Sequence, residues 1–455
     1  MSLSTPAHTP QSGLILAVNA GSSSLKISLF HRVSDIAPEK GSTHDVVSLL
    51  LNSNVSNISA PPASFTFSLV SHREGREANK QPVESIKDHA TAFSHFLDYL
   101  KEEASIDRTE IVHVCHRVVH GGDYLEPVVI TEESYHHIET LSDLAPLHNG
   151  GALSVMEACI VALPRANSIA YFDTLFHRPI PEHIASYAIR QDIAKKRGLK
   201  KYGFHGLSYS YILEAVSQYL QKDPSEMNLI VMHLGSGASV CVIKNGKAYD
   251  TTMGLTPLNG LPGATRSGTV DPSLIFHYTN RAGRITHDRR LAVDVHVTLA
   301  EDILNRRAGW AALTGTADFA VIVRKMKEAG PDASGGWDGE QKYRLAFDLF
   351  VDRIVGYLGS YFVKLRGKVD ALVFSGGIGE HSVELREEVA RKVACLGFVI
   401  DEKANAEVGS GDWVVAEVGA NHDDGKRMLV CQTDEQLEMA KECALESRFW
   451  EQVLN

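Results

Sequence analysis

The chain has 455 residues, of which 44% are hydrophobic and 22% charged, and its formal net charge is -11. This length exceeds one ordinary core, so we expect two domains or a duplicated architecture. The acidic balance disfavours non-specific binding to nucleic acid or to anionic membranes. The longest apolar runs, such as LILAV at 14–18, are far too short for a bilayer. We therefore expect neither a nucleic-acid partner nor a membrane span.

The N-terminus and the cysteines bear on location. Residues 1–13 carry neither a basic region nor an apolar stretch, which predicts a disordered leader rather than a secretory signal. The cysteines at 115, 159, 241, 395, 431 and 443 include no Cys-x-x-Cys pair. Buried free thiols are expected, rather than disulfides or a zinc site, and the predicted location is cytoplasmic.

Three segments share one pattern, in which an apolar strand enters a turn rich in small residues. They read LILAVNAGSSSLKISLF at 14–30, LIVMHLGSGASVCVIKNGKAYDTT at 229–252 and ALVFSGGIGE at 371–380. In the second, Asn245-Gly246 predicts a hairpin turn into a further strand. In the third, a helix is expected from about His381. The repetition predicts an α/β fold of two similarly built domains with a cleft between them.

The remaining elements follow from periodicity and polarity. Helical spacing of apolar residues occurs at 89–103, 205–220, 341–366, 382–396 and 434–454. The polar stretches near 36–62 and 331–340 are interpreted as surface loops or insertions.

The first turn, VNAGSSSLK, fits neither of the two common phosphate motifs. A Walker loop and a Rossmann turn both need more glycines and a following helix. A turn between two strands remains, in which backbone N–H groups and the hydroxyls of Ser22, Ser23 and Ser24 can hold phosphate. A simple hairpin turn is an equally good interpretation of this stretch alone.

The other two glycine turns are also candidates for nucleotide or phosphate. In HLGSGAS, two glycines allow close backbone approach and His233 is a possible donor to a phosphate oxygen. In SGGIGEHS, Gly376, Gly377 and Gly379 could let a nucleotide lie against the backbone. Ordinary turns explain each sequence equally well when it is taken alone.

Two arginines stand in unusual surroundings. Arg266 is the only basic residue of the long Gly/Thr/Pro segment 251–273, and long irregular segments in compact domains are usually functional. Arg117 lies among apolar residues in CHRVVHGGDY, so it is either paired or intended for an anion. Zinc binding by His116 and His120 is disfavoured, because this stretch is predicted to be a strand that ends in a turn.

Single polar residues near strand ends leave more than one interpretation open. Asp173 follows a short apolar strand, where a carboxylate can bind metal, position a nucleophile or cap a helix. His148 and His205 each stand beside apolar residues and a glycine, a pattern more often structural. Thr433 and Gln436 form a capping pattern, with Glu435 in the first turn of the following helix.

Taken in order, these motifs resemble those of the acetate kinases, within the acetate and sugar kinase, heat-shock protein 70 and actin superfamily. The resemblance runs from residue 18 to about 440, over the stretches VNAGSSSLK, CHRVVHGG, APLHN, FDTLFH, YGFHG, HLGSGAS, MGLTPLNGL, TRSG, DP, GGIGEHS and TDEQL. The leader and the 331–340 loop suggest a eukaryotic-type member.

The resemblance implies two duplicated actin-like, ribonuclease H-like domains with mixed β-sheets flanked by helices and an interdomain active-site cleft. The N-terminal domain would comprise 14–174 and 434–455, and the nucleotide-binding domain 175–433. The implied reaction is reversible transfer of a phosphoryl group between ATP and acetate, giving acetyl phosphate and ADP with Mg²⁺ or Mn²⁺. A homodimer and a link to acetyl-CoA biosynthesis are implied as well.

Site roles carry over by position as follows. The metal would be held or oriented by Asn19, Asp173 and Glu435. The catalytic groups around the transferred phosphoryl would be Asp173, Arg117, Arg266, His205 and His148. Acetate would be bound by Arg117 and an apolar pocket of Val119, Leu147, Phe204 and Pro257. Nucleotide and phosphate would be bound by Ser22, Ser24, Lys26, His233, Gly235, Ser236, Gly237, Asp318, Gly376, Gly377, Ile378 and Gly379.

Two departures from the family pattern leave alternatives open. The family usually has Asn where this chain has Ser236, and Arg where it has Ala320, although Asp318 is retained. Pyrophosphate is therefore an alternative phosphoryl donor. Propionate or butyrate is an alternative acceptor, because pocket depth cannot be deduced from sequence. A sensor without catalysis is the non-enzymatic alternative, and the joint presence of the arginines, histidines and carboxylates argues against it.

Overall fold

The computed structural model describes residues 13–21, 23–33, 46–58, 62–70, 77–141, 146–279, 281–283, 285–287, 296–329, 339–409, 413–420 and 426–451. Its strands are β1 Leu14–Ala20, β2 Ser24–Arg32, β3 Val47–Ser56, β4 Ala63–Leu69, β5 Glu77–Val83, β6 Ile111–Val118, β7 Val128–Val129, β8 Asn167–Phe172, β9 Leu229–Leu234, β10 Ala238–Lys244, β11 Lys247–Thr251, β12 Ile285–His287, β13 His296–Thr298, β14 Ala371–Ser375, β15 Val415–Glu417 and β16 Arg427–Cys431.

The α-helices alternate with these strands along much of the chain. They are α1 His89–Ala104, α2 Glu132–Leu141, α3 Pro146–Ala162, α4 Glu182–Ala185, α5 Gln191–Arg197, α6 Gly206–Leu220, α7 Leu274–Tyr278, α8 Leu299–Arg306, α9 Gly309–Thr314, α10 Phe319–Ala329, α11 Gln341–Lys364, α12 Gly376–His381, α13 Val383–Val393, α14 Glu402–Glu407, α15 Glu435–Leu445 and α16 Ser447–Glu451. In the described part of the chain, none is both long and apolar enough to cross a bilayer.

The chain divides into two compact units, with one division after Phe172 and the other after Asp434. The first unit contains the described residues up to 172 together with α15 and α16. The second contains the described residues from 173 to 434. The boundaries drawn from the sequence, after 174 and after 433, stay a prediction.

The two units repeat one sheet topology. In the first, the sheet order is β5-β4-β3-β2-β1-β6-β8-β7, and in the second it is β11-β10-β9-β14-β16-β15. In both, three antiparallel strands lead into two parallel ones: β3-β2-β1-β6-β8 matches β11-β10-β9-β14-β16. The predicted duplicated α/β fold with mixed sheets is therefore confirmed.

Each sheet buries apolar side chains that alternate along its strands. In the first unit, Leu14, Leu16 and Val18 of β1 pack in a core with residues of α1 and α3. In the second, one face of the sheet packs on α11 and α13, and the other packs on α6. The central strands of the second sheet are thus covered by helices on both faces.

The turns that follow these strands agree with the sequence pattern. Asn245 and Gly246 have φ angles of 49° and 70°, as a two-residue hairpin turn with two left-handed positions requires. Lys244 and Lys247 pair on either side of it. The strand–turn–strand prediction is confirmed for β1–β2 and for β9–β10–β11.

Three local predictions need correction. Part of the 36–62 stretch is a strand, Val47–Ser56, whose polar residues alternate with Leu51 and Val55 on the buried face. The helix expected from about His381 is confirmed as α13, which begins at Val383, but the glycine turn expected before it is itself a short helix, Gly376–His381. The helix expected over 434–454 is two helices, α15 and α16, that divide at Glu446. Most of 331–340 lies outside the described residues.

Candidate active site

In the first unit, Arg117, Asn19 and Glu435 form one cluster. Asn19 lies near the end of β1, Arg117 near the end of the parallel neighbour β6, and Glu435 is the first residue of α15. The Asn19 amide Nδ2 donates to the Glu435 carboxylate at 2.6 Å, and Arg117 donates to Asn19 Oδ1 at 3.2 Å. Arg117 Nε lies 3.2 Å from Glu435 Oε2. The structure thus brings together three residues that the sequence assigned to substrate and metal.

The Arg117 cluster is shielded from solvent, since the side chains of Arg117 and Glu435 are only 15% and 11% exposed. Because little water screens charges at this depth, the attraction between Arg117 and Glu435 is stronger than that of an exposed ion pair. Glu435 also stands at the N-terminus of a helix, where the backbone dipole favours a negative charge.

The segment after Arg117 is fixed by a residue that the sequence analysis did not identify. Asn149 of α3 is fully buried, and its amide accepts from the His120 N–H at 3.0 Å and donates to the His120 carbonyl at 3.1 Å. These two hydrogen bonds fix the turn that carries Val119, which is half-buried. Leu147 and His148 begin the same helix, but their side chains lie outside the described residues.

The first Gly/Ser turn is closed by a hydrogen bond from Gly21 N to the Ser24 carbonyl at 2.8 Å. Lys26 pairs directly with Asn19 across β1 and β2, so both side chains project from the same face of the sheet. Lys26 is exposed. Ser22 lies outside the described residues.

In the second unit, Asp173 is fully buried directly after β8, and the following α6 approaches it closely. A Cβ added to Gly206, the first residue of α6, would lie 2.0 Å from the Asp173 carbonyl oxygen. Only glycine fits this contact. It brings Asp173 close to His205, which precedes Gly206 and adopts a left-handed φ of 60°.

His205 and His233 form a stacked pair, with ring centroids 4.2 Å apart and planes inclined by 25°. His205 Nδ1 bonds the Ser239 hydroxyl at 2.8 Å, and Ser239 bonds the Tyr209 hydroxyl. His233 Nδ1 bonds the Ser208 hydroxyl, also at 2.8 Å. Each ring is therefore oriented by a serine on a regular element, α6 or β10.

Phe204 is buried and held through its backbone. His177 Nε2 donates to the Phe204 carbonyl at 2.8 Å. Burial lowers the pKa of His177 to about 4, so the ring is neutral and serves as a donor. The loop that carries His205 is thus held by a hydrogen bond from the buried, neutral His177 to the neighbouring Phe204 carbonyl.

Arg266, the arginine of the 251–273 segment, lies against the second Gly/Ser turn. A Cβ on Gly237 would be 3.2 Å from one guanidinium nitrogen, and the same nitrogen is 3.5 Å from the Pro257 carbonyl. Pro257 is buried. Arg266 is therefore positioned beside a turn whose glycine leaves room for it.

A cavity of about 760 Å³ opens beside the second and third glycine turns. Five of the predicted nucleotide residues line it: Gly235, Ser236, Asp318, Gly377 and Ile378. Gly237, Gly376 and Gly379 do not. Ala320, one of the two departures from the family pattern, lines it too. The sequence did not predict the rest of its lining: Trp310, Ala317, Phe319, Val323, Arg324, Lys327, Glu328, His381, Ser382 and Glu384. Its size lies in the range of small-molecule sites.

The walls of this cavity combine an apolar floor and a charged edge. Trp310 and Phe319 pack edge to face with centroids 5.4 Å apart. Asp318 caps α10 by accepting from the Ala320 N–H at 2.9 Å. Lys327 of α10 donates to Glu384 of α13 at 2.7 Å, which connects two helices of the lining. The arrangement suits a flat apolar ring with polar substituents.

The third glycine turn depends on one conformationally special residue and one buried arginine. Gly376 has a φ of 73°, and a Cβ there would lie 2.8 Å from the Leu234 carbonyl oxygen. Arg386 is fully buried and donates to the carbonyls of Gly379 and Glu380 at 2.9 and 2.8 Å. Burial lowers the pKa of Arg386 to about 10, so it stays charged at neutral pH.

The side-chain oxygens of Asn19 and Glu435 are hard ligands of the kind that Mg²⁺ prefers, so these residues fit this ion chemically. Among the described residues, no three or more His, Cys, Asp or Glu side chains form a group that could hold a metal by themselves.

The family model described as the acetokinase family matches residues 14–441. A "Probable acetate kinase" of Emericella nidulans is 47% identical over 433 residues, or 94% of this chain and 97% of the relative.

Two solved structures are similar over 94% of this chain and 98% of theirs, each at 30% identity. One is a propionate kinase from Francisella tularensis, with a TM-score of 0.75, and the other is the Porphyromonas gingivalis acetate kinase, with a TM-score of 0.73. The family model and the fungal relative each span nearly the whole chain. The chain therefore belongs to the acetokinase family.

Proposed function

We propose that this protein is an acetate kinase, which transfers a phosphoryl group reversibly between ATP and acetate to give acetyl phosphate and ADP. The observation that carries the proposal is the Arg117 cluster. It joins a shielded cation suited to a carboxylate with two oxygen side chains suited to a metal. The fungal relative named as a probable acetate kinase supports the same activity.

The chemistry needs positioning more than a base. A carboxylate oxygen of acetate attacks the γ-phosphorus of ATP, an O–P bond forms, and the bond to the β–γ bridging oxygen breaks with its electron pair leaving on ADP. No proton must be removed from acetate. The cost lies in bringing an anion against a polyanion and in charge on the equatorial oxygens, which Arg117, Arg266, His205 and His148 would stabilise.

Asn19, Glu435 and Asp173 are proposed to hold or orient Mg²⁺, with Mn²⁺ as a substitute of similar chemistry. When bound, the metal would neutralise charge on the phosphates of the nucleotide. Within this chain, Glu435 would contribute its carboxylate, and Arg117 would hold that carboxylate in place. The apolar side chains of Val119, Leu147, Phe204 and Pro257 are proposed to enclose the acetate methyl group.

ATP is favoured over pyrophosphate by the cavity beside the glycine turns. A volume of about 760 Å³ with Trp310, Phe319 and Ile378 in its lining suits a base and ribose. Pyrophosphate has no apolar group that could pack on these side chains. Ser236 and Ala320, where the chain departs from the family pattern, both line this cavity. Ser22, Ser24 and Lys26 are proposed to support the phosphate end.

We further propose a cytoplasmic homodimer that contributes to acetyl-CoA biosynthesis. Phe276 and Tyr278 of α7 are 71% and 65% exposed, and apolar surface of this kind is suited to cover by a second copy.

Propionate is the second candidate acceptor, because the similar structure from Francisella tularensis is a propionate kinase. Turnover per KM for acetate, propionate and butyrate, each with ATP and separately with pyrophosphate, separates the candidates. We expect acetate with ATP to give the highest value. Preference for a longer acid would reassign the acceptor, and higher turnover with pyrophosphate would reassign the donor.

A further inference from the structure

Two hydroxyl groups, those of Thr433 and Ser208, form a chain of hydrogen bonds that ends at His233. Thr433, which follows β16, donates from Oγ1 to Ser208 Oγ at 2.7 Å. Ser208, near the start of α6, bonds His233 Nδ1 at 2.8 Å. All three residues belong to the second unit. The sequence pattern had given Thr433 a capping role, but α15 begins only at Glu435, and the hydroxyl of Thr433 bonds Ser208.

The direction of the protons in this line follows from simple counting. A serine hydroxyl has one proton and two lone pairs. Ser208 is fully buried, its oxygen receives the proton of Thr433, and its other hydrogen-bond partner among the described residues is His233 Nδ1. Ser208 must therefore donate to Nδ1. A neutral imidazole that accepts at Nδ1 carries its own proton on Nε2.

The hydrogen bonds of Ser239 and Tyr209 do not by themselves determine the tautomer of His205, the stacked neighbour. Its Nδ1 bonds Ser239, which bonds Tyr209, and in that line either oxygen can be the donor. For His233, Thr433 sets the direction of the serine proton.

The Nε2 side of His233 faces the second Gly/Ser turn. A Cβ built on Gly235 would lie 4.0 Å from His233 Nε2, and Gly235 also lines the cavity beside the turns. A proton on Nε2 makes the ring a donor toward this turn, whereas the other tautomer would present a lone pair to a phosphate oxygen and repel it.

We propose that Ser208 and Thr433 are positioning residues that hold His233 as an Nε2–H donor for an oxygen of the transferred phosphate. The inference rests on the proposed function for the identity of that phosphate. The tautomer itself follows from the hydrogen bonds alone, so it can be measured without any assay of activity.

The direct test is the ring tautomer in the full-length chain labelled with ¹⁵N-histidine. Two-bond ¹H–¹⁵N spectra at pH 8 observe neutral rings, since an unperturbed imidazole has a pKa of about 6.5. The signals of His233 are those lost in His233→Asn. We expect a protonated Nε2 in the wild type and in Thr433→Ser, and a mixture of tautomers in Thr433→Val and Ser208→Ala. A protonated Nδ1 in the wild type would overturn the proposal.

Values of kcat show whether the hydrogen bonds of Thr433 and Ser208 act through His233. We expect Thr433→Val to lower kcat about tenfold, the worth of one hydrogen bond, and to have less than about a twofold effect in the His233→Ala background. Thr433→Ser should restore the rate. Ser217→Ala, which removes another buried hydroxyl from α6, is the control and should leave kcat unchanged. Equal losses in both backgrounds would show a merely structural role.

The two proposals fail differently. A wild-type protein that makes no acyl phosphate contradicts the proposed function, and the tautomer spectra then decide the inference by themselves. An active protein whose tautomer is unchanged in Thr433→Val and Ser208→Ala contradicts the inference and leaves the function intact.

Discussion

The side-chain amide of Asn19 donates a 2.6 Å hydrogen bond to the carboxylate of Glu435, 416 residues further along the chain. The contact exists because the last helices return to the first unit, where α15 packs on β1. Arg117 completes the cluster from the neighbouring strand. Residues from the beginning, the first third and the end of the chain thus form a single group of interacting side chains.

Glu435→Gln keeps the shape of the side chain but removes its charge. If Glu435 serves the metal, the Mg²⁺ concentration for half-maximal rate should rise at least about tenfold, as for other losses at metal sites. A titration of rate against Mg²⁺ measures this, with Glu446→Gln, at the partly exposed residue between α15 and α16, as control. An unchanged Mg²⁺ dependence would remove Glu435 from the proposed metal site.

Arg117→Ala and Arg266→Ala should each lower kcat about a hundredfold or more. The physical reason is the loss of one fixed donor to charge that develops in the transition state. Steady-state kinetics of the folded variants provide the measurement. Arg353→Ala, on the exposed side of α11, is the matched control. Near-normal turnover in either site variant would contradict the role assigned to that arginine.

Gly377 and Gly376 are neighbours with opposite expectations. A Cβ on Gly377 meets nothing within 4 Å, so Gly377→Leu should leave the melting temperature unchanged and fill the cavity. KM for ATP should then rise about tenfold, equivalent to roughly 1.4 kcal/mol, with KM for acetate unchanged.

Gly376→Ala should instead reduce stability by about 1 kcal/mol or more, because its φ of 73° and the nearby Leu234 carbonyl both disfavour a side chain. Thermal unfolding of the pair distinguishes the two effects. Equal destabilisation by both substitutions would contradict this assignment.

Asp250 holds two lysines in the second unit. Its carboxylate, only 5% exposed, accepts from Lys201 Nζ at 2.5 Å and from Lys364 Nζ. Asp250→Ala leaves two shielded ammonium groups without their counter-charge, so we expect a loss of about 3–5 kcal/mol in the free energy of unfolding. Urea denaturation measures it. A loss below about 1 kcal/mol would show that solvent or rearrangement compensates for the missing carboxylate.

The buried histidines predict a loss of stability in mild acid. Burial lowers the pKa of His113 to about 4, against 6.5 for an ordinary imidazole. Between these values the unfolded chain binds a proton that the folded chain does not, so stability falls as the pH falls from 6.5 towards 4. At pH 5.5 this one group should cost about 1 kcal/mol relative to pH 7.5.

His113→Phe removes this titration and keeps a ring against Trp450, which packs on His113 with centroids 4.5 Å apart. The difference in unfolding free energy between pH 7.5 and 5.5 should therefore shrink by about 1 kcal/mol in urea titrations. Substitution of the exposed His136 by Gln should leave the difference as it is. A pH dependence identical to that of the wild type in His113→Phe would contradict the proposed cause.

The strands and their turns could be predicted because their signals are local. The short apolar runs LILAV and LIVMHL, the glycines at the turns and Asn245-Gly246 specify strand, turn and strand without reference to the rest of the chain. The strand Val47–Ser56 was missed because Asn and Ser occupy its solvent face, so its composition is that of a loop. The break at Glu446 was missed because apolar spacing continues across it.

The sequence predicts the site residues that lie in its motifs, but not the residues that position them. Asn149, Ser208 and Arg386 position parts of the site through hydrogen bonds to backbone or to side chains elsewhere in the sequence. Arg386 stands in VELREEVARK, where charges on both sides are typical of a solvated helix face. Nothing local distinguishes it from Arg391, which is exposed. The roles assigned to the site residues themselves stay predictions.

The most direct test of the proposed function is the product itself. The wild-type chain is incubated with ATP, acetate and Mg²⁺, acetyl phosphate is trapped with hydroxylamine, and ADP is measured in the same samples. The proposed function predicts hydroxamate and ADP in equal amounts, with formation dependent on both acetate and ATP. Release of ADP without hydroxamate, or no product from any of the three short carboxylates, would contradict it.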